Sequence, residues 1–151
     1  MNIELKSFKH YEKLSDETYC FTANIYVNGI KCGTAENRGI GGETDYSSDR
    51  RIGSDELIKQ AEQHCLGLPS ETIVIGDRAI TLNMNLVNYI DNLVDRLVKA
   101  KYKEKDAQKL RKEMQSGILI GDDEKYAKIG FKIPLSEVMA KHPDYFQKTL
   151  K

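Results

Sequence analysis

Alternation of apolar and polar side chains dominates the first part of the chain. Ile3 and Leu5 alternate with Glu4 and Lys6, which predicts a strand from about residue 2 to residue 10. A second strand is predicted over residues 19–27, because every second side chain there is apolar or aromatic. Its apolar face consists of Tyr19, Phe21, Ala23, Ile25 and Val27. Each strand therefore has one face that another layer must cover.

The dipeptide Asn-Gly at positions 28–29 is a strong hairpin signal, because a type I′ turn needs positive φ at both central residues. A two-residue turn pairs Val27 with Ile30 and Ile25 with Cys32. The apolar face is then expected to continue across the returning strand with a fixed register. The pattern therefore predicts a three-stranded antiparallel meander.

A helical period replaces the alternation after residue 53. Ser54 is predicted as the N-cap of a short helix that runs to about Cys65, with two acidic residues in its first turn. Gly67 and Pro69 are expected to end it. The buried stripe is predicted to consist of Leu57, Ile58, Ala61 and Cys65.

A longer helix is predicted over residues 85–102, followed by a second one over residues 105–114 that Gly117 stops. The longer helix has a wide apolar stripe, which suggests contact with its own sheet and with a second surface. That stripe contains Leu86, Val87, Ile90, Leu93, Val94, Leu97 and Val98.

The remaining segments are short. Residues 71–82 predict one short strand or extended segment with a turn at Gly76-Asp77, and residues 118–133 predict a second hairpin. Pro134 with Ser136 opens a final helix that ends at His142-Pro143. The fold class is therefore α+β, with an antiparallel meander packed against a long helical part. A single domain, 1–151, is expected, in which 1–82 is mainly sheet with one helix and 83–151 is mainly helical with a short hairpin.

Composition restricts the classes of function. The 151-residue chain has 23 basic and 23 acidic residues, so overall charge gives no general affinity for nucleic acid or anionic membranes. The amino terminus lacks the apolar run of a signal peptide, and no segment is long enough to span a membrane. Cys20, Cys32 and Cys65 are scattered, as is usual for buried thiols in a reducing compartment. We therefore expect a cytoplasmic protein with no zinc site.

A glycine-rich loop is the main candidate for chemistry. Residues 34–42 read T-A-E-N-R-G-I-G-G and follow the hairpin directly. Glycines accept positive φ, so their N–H groups can turn towards one anion, and nearby guanidinium groups could hold a phosphate. The alternative is a sharp turn with no ligand. The candidate ligand-binding residues here are Arg38, Gly39, Gly41, Gly42, Tyr46 and Arg50, with Arg51 beside them.

The helical part adds aromatic and cationic candidates. Tyr89, Asn92 and Arg96 are spaced i, i+3, i+7 and lie on one flank of the long helix. Residues 99–112 contain seven basic and two acidic residues, a net charge of +5, and include the candidates Lys109 and Arg111. A tyrosine face and an asparagine amide suit a nucleobase. Alternatively, Tyr89 belongs to the core and the lysines form a solvated helix end.

No catalytic motif accompanies these candidates. The chain has no G-x-S-x-G elbow, no P-loop, no H-E-x-x-H and no Cys-His pair at a known spacing. The Asp-Asp-Glu run at residues 122–124 reads as a solvated turn more readily than as a metal site. We therefore expect a binding protein that is not an enzyme and uses no cofactor.

Three stretches carry a family resemblance. They read Y-C-F-T-A-N-I-Y-V-N-G at 19–29, N-R-G-I-G-G-E-T-D-Y at 37–46 and N-Y-I-D-N-L-V-D-R at 88–96, followed by the basic helix. Together they resemble the first type of phage Thoeris anti-defence sponge proteins. The resemblance extends from about residue 1 to residue 120 and is most specific in the hairpin and the glycine-rich loop.

The resemblance implies capture of a signal without catalysis. Proteins of that family bind cyclic ADP-ribose isomers made by bacterial TIR-domain enzymes, and some also bind cyclic oligonucleotides in a second pocket. They assemble as dimers or hexamers with pockets between subunits, in the cytoplasm of the host cell and without a membrane. By resemblance, Tyr89, Asn92 and Arg96 contribute to the nucleotide pocket and Arg111 meets phosphate. The glycine-rich loop with Arg38 and Arg50 would supply donors to a diphosphate.

Two other functions remain open at this level. One is a small interaction module that binds nucleic acid or a host protein through residues 99–112, although zero net charge argues against it. The other is a phosphoesterase that cleaves such a signal. A sponge would release its ligand unaltered, whereas an esterase would release a product.

Overall fold

The computed structural model describes residues 1–76, 78–115, 117–121, 126–130 and 135–141. An antiparallel sheet contains four strands in the order β1-β2-β3-β4, and the fold class is α+β as predicted. The strands are β1 (Ile3–His10), β2 (Phe21–Val27), β3 (Ile30–Asn37) and β4 (Asp45–Ser48). The sequence predicted only the first three. The fourth strand reads Asp-Tyr-Ser-Ser and lies at the sheet edge, where backbone pairing needs no apolar alternation.

The turn between β2 and β3 is as predicted, with φ of 49° at Asn28 and 83° at Gly29. The predicted register holds at Val27, which pairs with Ile30, and then fails. Ile25 pairs with Gly33 and not with Cys32, because a β-bulge inserts one extra residue into β3. Tyr19, assigned to the apolar face, lies outside β2 and is exposed.

The bulge changes which side chains of β3 face the core. In the predicted register Thr34 and Glu36 would share the buried face of β2, at a large desolvation cost for the carboxylate. After the bulge Ala35 and Asn37 occupy that face, and both are buried. The structure thereby places a polar amide, Asn37, in the core at the point where the glycine-rich loop begins.

Helix α1 (Ser54–Leu66) covers part of the sheet. Ile58, Ala61 and Cys65 are buried as predicted, whereas Leu57 is half-buried. The predicted N-cap was wrong. Gly53 holds that position at φ 86°, a conformation that few other residues adopt, and the buried Ser54 is already the first helical residue.

Helix α2 (Leu86–Met114) is one continuous helix of 29 residues, which corrects the prediction of two helices. Between residues 102 and 105 no glycine or proline interrupts a run of good helix formers. Asn85 precedes the helix, and its side-chain oxygen accepts a hydrogen bond of 2.7 Å from the Asn88 N–H. The fully buried stripe is narrower than predicted and consists of Leu86, Ile90, Val94 and Val98.

Two further hairpins follow the sheet. The extended segment predicted at 71–82 contains two strands, β5 (Glu71–Ile75) and β6 (Arg78–Leu82), and its predicted turn residue Asp77 lies outside the described residues. The second predicted hairpin is confirmed as β7 (Gly117–Gly121) and β8 (Tyr126–Gly130). A final helix, α3 (Leu135–Lys141), is also confirmed, although the turn at 122–125, Pro134 and the predicted helix stop at 142–143 lie outside the described residues.

Internal contacts divide the chain into two compact units, residues 1–99 and residues 100–151, so the single domain stays a prediction. The core of the first unit lies between the sheet and helices α1 and α2. It includes Phe21, Ile25, Val27, Leu86, Ile90, Val94 and Val98.

Cys20, Cys32 and Cys65 are free and buried, and burial raises the pKa of the Cys32 and Cys65 thiols. In the described ranges no helix is long and apolar enough to cross a membrane.

Candidate functional site

Residues 34–37, which were predicted as the start of the glycine-rich loop, form the end of β3, so the loop itself begins at Arg38 and connects β3 to β4. Its backbone bonds to side chains on both sides of it. Gly39 and Gly41 have positive φ as predicted, at 83° and 86°. The Gly39 N–H donates to Asn37 Oδ1 at 2.8 Å, and the Gly41 N–H donates to Thr18 Oγ1 at 3.4 Å. A Cβ at Gly39 would overlap the carbonyl oxygen of Leu14, so only glycine fits there. Two of the amides expected to face an anion thus bond within the protein.

The side chain of Asn37 organises this loop. Its Oδ1 accepts bonds from the Gly39 N–H and, at 2.9 Å, from the Thr18 hydroxyl. Its Nδ2 donates to the Gly42 carbonyl oxygen at 2.9 Å and to Thr44 Oγ1 at 3.3 Å. Both amide protons and both lone pairs are thereby used. One buried side chain therefore joins the loop before β2 to both ends of the glycine-rich loop.

The network reaches helix α2 through Thr44. The buried Thr44 hydroxyl donates a 2.5 Å hydrogen bond to Asp91 Oδ1. Desolvation raises the pKa of the Asp91 carboxyl, the hydrogen bond from Thr44 lowers it, and the neighbouring Glu43 charge raises it. Sequence reasoning missed Asn37, Thr44 and Asp91 as a group, because nothing in their spacing indicates that three segments meet.

The other candidates near this loop lie apart from one another. Arg38 and Arg50 are exposed, and neither forms a hydrogen bond or ion pair with a described residue. Tyr46 on β4 is half-buried, and its hydroxyl donates to Glu62 Oε1 of α1 at 2.7 Å. Burial and this carboxylate raise the pKa of Tyr46 to about 12. Tyr46 therefore links strand to helix, while the two arginines face solvent.

The larger cavity of the first unit, which we call the acidic cavity, has a volume of about 550 Å³. Its walls come from residues 15–19, from the glycine-rich loop and from α2, and its described lining contains no lysine or arginine. Of the predicted site residues, Gly42 and Asn92 reach it. The ionisable residues that line it are Asp16, Glu17, Tyr19, Asp91 and Asp95. Its charge disfavours a phosphate.

A serine and a histidine form a pair at the edge of this cavity. His10 Nε2 lies 3.1 Å from Ser15 Oγ. The Ser15 hydroxyl donates to the Tyr11 carbonyl oxygen at 3.0 Å and accepts a bond from the Cys20 N–H at 2.9 Å. Because the serine proton is directed to a carbonyl oxygen, the histidine is not placed to remove it. This arrangement stabilises the loop before β2.

A second cavity, which we call the Arg96 cavity, has a volume of about 280 Å³ and brings together three predicted residues: Tyr89, Asn92 and Arg96. They share one flank of α2, as their spacing predicted. The opposite wall is mostly apolar and was not predicted. It consists of Leu68, Pro69, Ser70 and Met84, with Leu93 from the helix.

Among the described residues that line this cavity Arg96 is the only charged one, and no described residue forms an ion pair or hydrogen bond with it. Tyr89 is half-buried and supplies an aromatic face. The Ser70 hydroxyl is already bonded to Asn83 Oδ1 at 3.1 Å, which bridges the two ends of the β5–β6 hairpin. A flat ring with one anionic group matches this combination of side chains.

The last two predicted residues, Lys109 and Arg111, belong to the second unit. Both lie on the C-terminal part of α2 and are exposed. Within that unit, the Lys105 ammonium lies 5.9 Å from the centre of the Tyr102 ring. A role in ligand binding stays a prediction for Lys109 and Arg111.

Neither metal ligands nor relatives identify the site. Over the described part of the chain, no three His, Cys, Asp or Glu side chains are grouped so that they could hold a metal ion. No protein-family model, curated protein or solved structure matches this chain. Side-chain chemistry in the two cavities is therefore the basis for a functional proposal.

Proposed function

We propose that this protein binds and sequesters a cyclic nucleotide signal, a cyclic ADP-ribose isomer, without cleaving it. The Arg96 cavity is the observation that carries the proposal. It combines an aromatic face, an amide and a guanidinium with no ion partner among the residues that the structure describes. These are the groups that contact a base, its polar edge and a phosphate, respectively.

Sequestration follows from the resemblance of residues 19–29, 37–46 and 88–96 to phage Thoeris anti-defence sponges. On this proposal the protein acts in the cytoplasm of the host cell and forms a homo-oligomer. The open cavity and the partly exposed Leu97 of α2 suit a site that a second copy helps to enclose. Enclosure removes water from the ligand, which favours the low dissociation constants that a sponge needs.

The direct test is capture and release. The purified protein is incubated with a cyclic ADP-ribose isomer made by a TIR-domain enzyme, retained on a filter, and then denatured by heat. Loss of the ligand from the filtrate and recovery of the unaltered molecule are expected. Recovery of an altered product would identify an enzyme, and an undepleted filtrate would contradict the proposal for this signal. Cyclic oligonucleotides are then tested in the same assay.

Two matched pairs of variants test the site assignment. Arg96→Gln should weaken capture by roughly tenfold or more, since a charge-assisted hydrogen bond is lost, while Lys59→Gln removes an exposed cation of α1 and should not. Tyr89→Leu should weaken capture more than Tyr89→Phe, which keeps the ring. Equal capture by Arg96→Gln and the parent protein would show that the ligand does not bind in the Arg96 cavity.

The residues outside this cavity are tested separately. Arg111→Ala and Arg38→Ala remove exposed guanidinium groups in the second and first unit, respectively. Each variant is measured by itself: a variant whose arginine contacts the ligand weakens capture and leaves thermal unfolding unchanged. Unchanged capture in a variant would show that the substituted arginine does not contribute to ligand binding.

A second candidate is an interaction module for nucleic acid. It is favoured by the exposure of all six cationic side chains of α2 in the second unit. These are Lys101, Lys103, Lys105, Lys109, Arg111 and Lys112. Binding of RNA or DNA through them would weaken steeply with salt. Affinity that does not change between low and physiological salt would reject this candidate.

A further inference from the structure

We infer that the Arg96 cavity accepts one nucleoside monophosphate unit and selects against ligands that carry more negative charge. This inference rests on the proposed nucleotide-binding function and specifies which part of a nucleotide the first unit recognises. It depends on the size of the cavity, on the one cation among its described lining residues and on the Asp91 carboxylate on the other side of the helix.

Size is the first argument. A volume of about 280 Å³ lies just below the roughly 300–1,000 Å³ of cavities that enclose drug-sized ligands. A cyclic dinucleotide is larger than such a cavity, whereas one base with its ribose and phosphate is closer in size. The aromatic ring of Tyr89 and the apolar wall formed by Leu68, Pro69 and Met84 suit the two faces of a base.

Charge is the second argument. Among the residues that line the cavity, Arg96 is the one cation, so one phosphate can be neutralised there. The nearest other cation along the helix, Lys99, is paired with Asp95 at 2.7 Å. ADP and ATP carry more negative charge than AMP, whereas the two bridging phosphates of a cyclic ADP-ribose isomer together carry about the same charge as the terminal phosphate of AMP. The additional charge of ADP or ATP would therefore lie where no described lining residue meets it.

The other flank of α2 adds repulsion. At 100° per residue, Asp91 lies roughly opposite to Tyr89 and Arg96, whereas Asp95 lies about 100° from Arg96, and both carboxylates line the acidic cavity. The helix is about 10 Å thick, close to the screening length of about 8 Å at physiological salt. Asp95 is paired with Lys99, so Asp91 is the carboxylate that acts at that distance, and it should weaken the binding of one added phosphate charge by about twofold or less.

The full-length protein is titrated calorimetrically with adenosine, AMP, ADP and ATP at constant ionic strength. AMP should bind about tenfold or more tightly than adenosine, and ADP and ATP should bind no more tightly than AMP. In Arg96→Gln the advantage of AMP over adenosine should disappear, whereas in Lys59→Gln it should remain. Asp91→Asn keeps an oxygen that can accept the Thr44 bond and should improve ATP binding relative to AMP by about twofold.

Three results would overturn the inference: affinity that rises from AMP to ATP, equal affinity for AMP and adenosine, or no binding of AMP at millimolar concentration. Cyclic ADP-ribose capture is measured on the same preparation, so the two ideas fail separately. Binding of AMP without capture of the cyclic signal would retain this inference and reject the sponge. Capture without binding of AMP would retain the sponge and reject this inference.

Discussion

The glycine-rich loop and the Tyr89 flank of α2 were both predicted as ligand sites, and they differ in how their polar groups are used. In the loop, Gly39 and Gly41 donate their N–H groups to Asn37 and Thr18. On the helix flank, the Arg96 guanidinium has no partner among the described residues. The comparison shows that a dense run of glycines can reflect close packing, while an unpaired cation beside a cavity indicates a ligand more directly.

The largest expected effect is on the loop. Gly39→Ala should reduce the free energy of unfolding by about 3 kcal/mol or more, because a Cβ would overlap the Leu14 carbonyl oxygen at positive φ. Denaturant titration measures this change. Gly42→Ala is the control, since a Cβ there meets no atom within 4 Å, and its cost should stay below about 1 kcal/mol. A similar loss of stability in the two variants would contradict the expected difference between Gly39 and Gly42.

Loss of the Asn37 amide should be nearly as damaging. Asn37→Ala leaves the Gly39 N–H, the Gly42 carbonyl and two hydroxyl groups without this partner, which should cost roughly 2–3 kcal/mol of stability. Asn24→Ala on β2 is the matched control and should cost less than about 1 kcal/mol. Faster hydrogen exchange at the Gly39 amide in Asn37→Ala would locate the effect in the loop.

A smaller effect is expected where β4 meets α1. Tyr46→Phe removes only the hydroxyl that donates to Glu62, so stability should fall by about 1 kcal/mol. Spectrophotometric titration of tyrosine should also show that the parent protein has one hydroxyl with a pKa of about 12 that this variant lacks. A Tyr46→Phe protein as stable as the parent would show that the bond makes no net contribution.

The pH dependence at Asp91 should be smaller again. Its folded-state pKa is raised above the ordinary value of 3.8, so the folded state binds more protons than the unfolded state between the two values. Stability from this group is therefore lost as pH rises through that interval. Asp91→Asn should have a slightly higher Tm than the parent at pH 7 and the same Tm below about pH 4. A Tm difference that does not change with pH would contradict this account.

The helix flank should show almost no change in stability. Arg96→Gln removes an exposed cation without an ion partner, so the free energy of unfolding should change by less than about 0.5 kcal/mol. The same variant should lose ligand capture. A stability loss comparable to that of Asn37→Ala would mean that Arg96 has a structural role.

Much of the fold could be predicted, because alternation and turn chemistry are local. The hairpin turn at 28–29 and the helix flank of Tyr89, Asn92 and Arg96 depend only on periods of two and 3.6 residues. The bulge in β3 could not be predicted, since it depends on which of Thr34 and Ala35 the core accepts. The edge strand β4 was missed because its pairing is through the backbone.

The sequence predicted the helix flank that forms one wall of the Arg96 cavity, but it did not predict the opposite wall. Helical spacing placed three residues together, but the opposite wall comes from residues 68–70 and from Met84, which are distant in sequence from the helix flank. The same applies to Asn37, whose partners Thr18 and Thr44 lie on two other segments. Contacts between segments follow from packing, which no local pattern encodes.

The sequence by itself determined the local elements, the positive φ of Gly39 and Gly41, and the shared face of Tyr89, Asn92 and Arg96, because each depends on neighbouring residues alone. The tertiary structure decided which polar groups form hydrogen bonds within the protein and which remain available to a ligand. Packing of the bulged strand brought the Asn37 amide to the glycine-rich loop, where it consumes the Gly39 N–H. The Arg96 guanidinium, which has no partner in the described part of the chain, and the cavity beside it result from the same process, since burial determines which donors find partners within the protein.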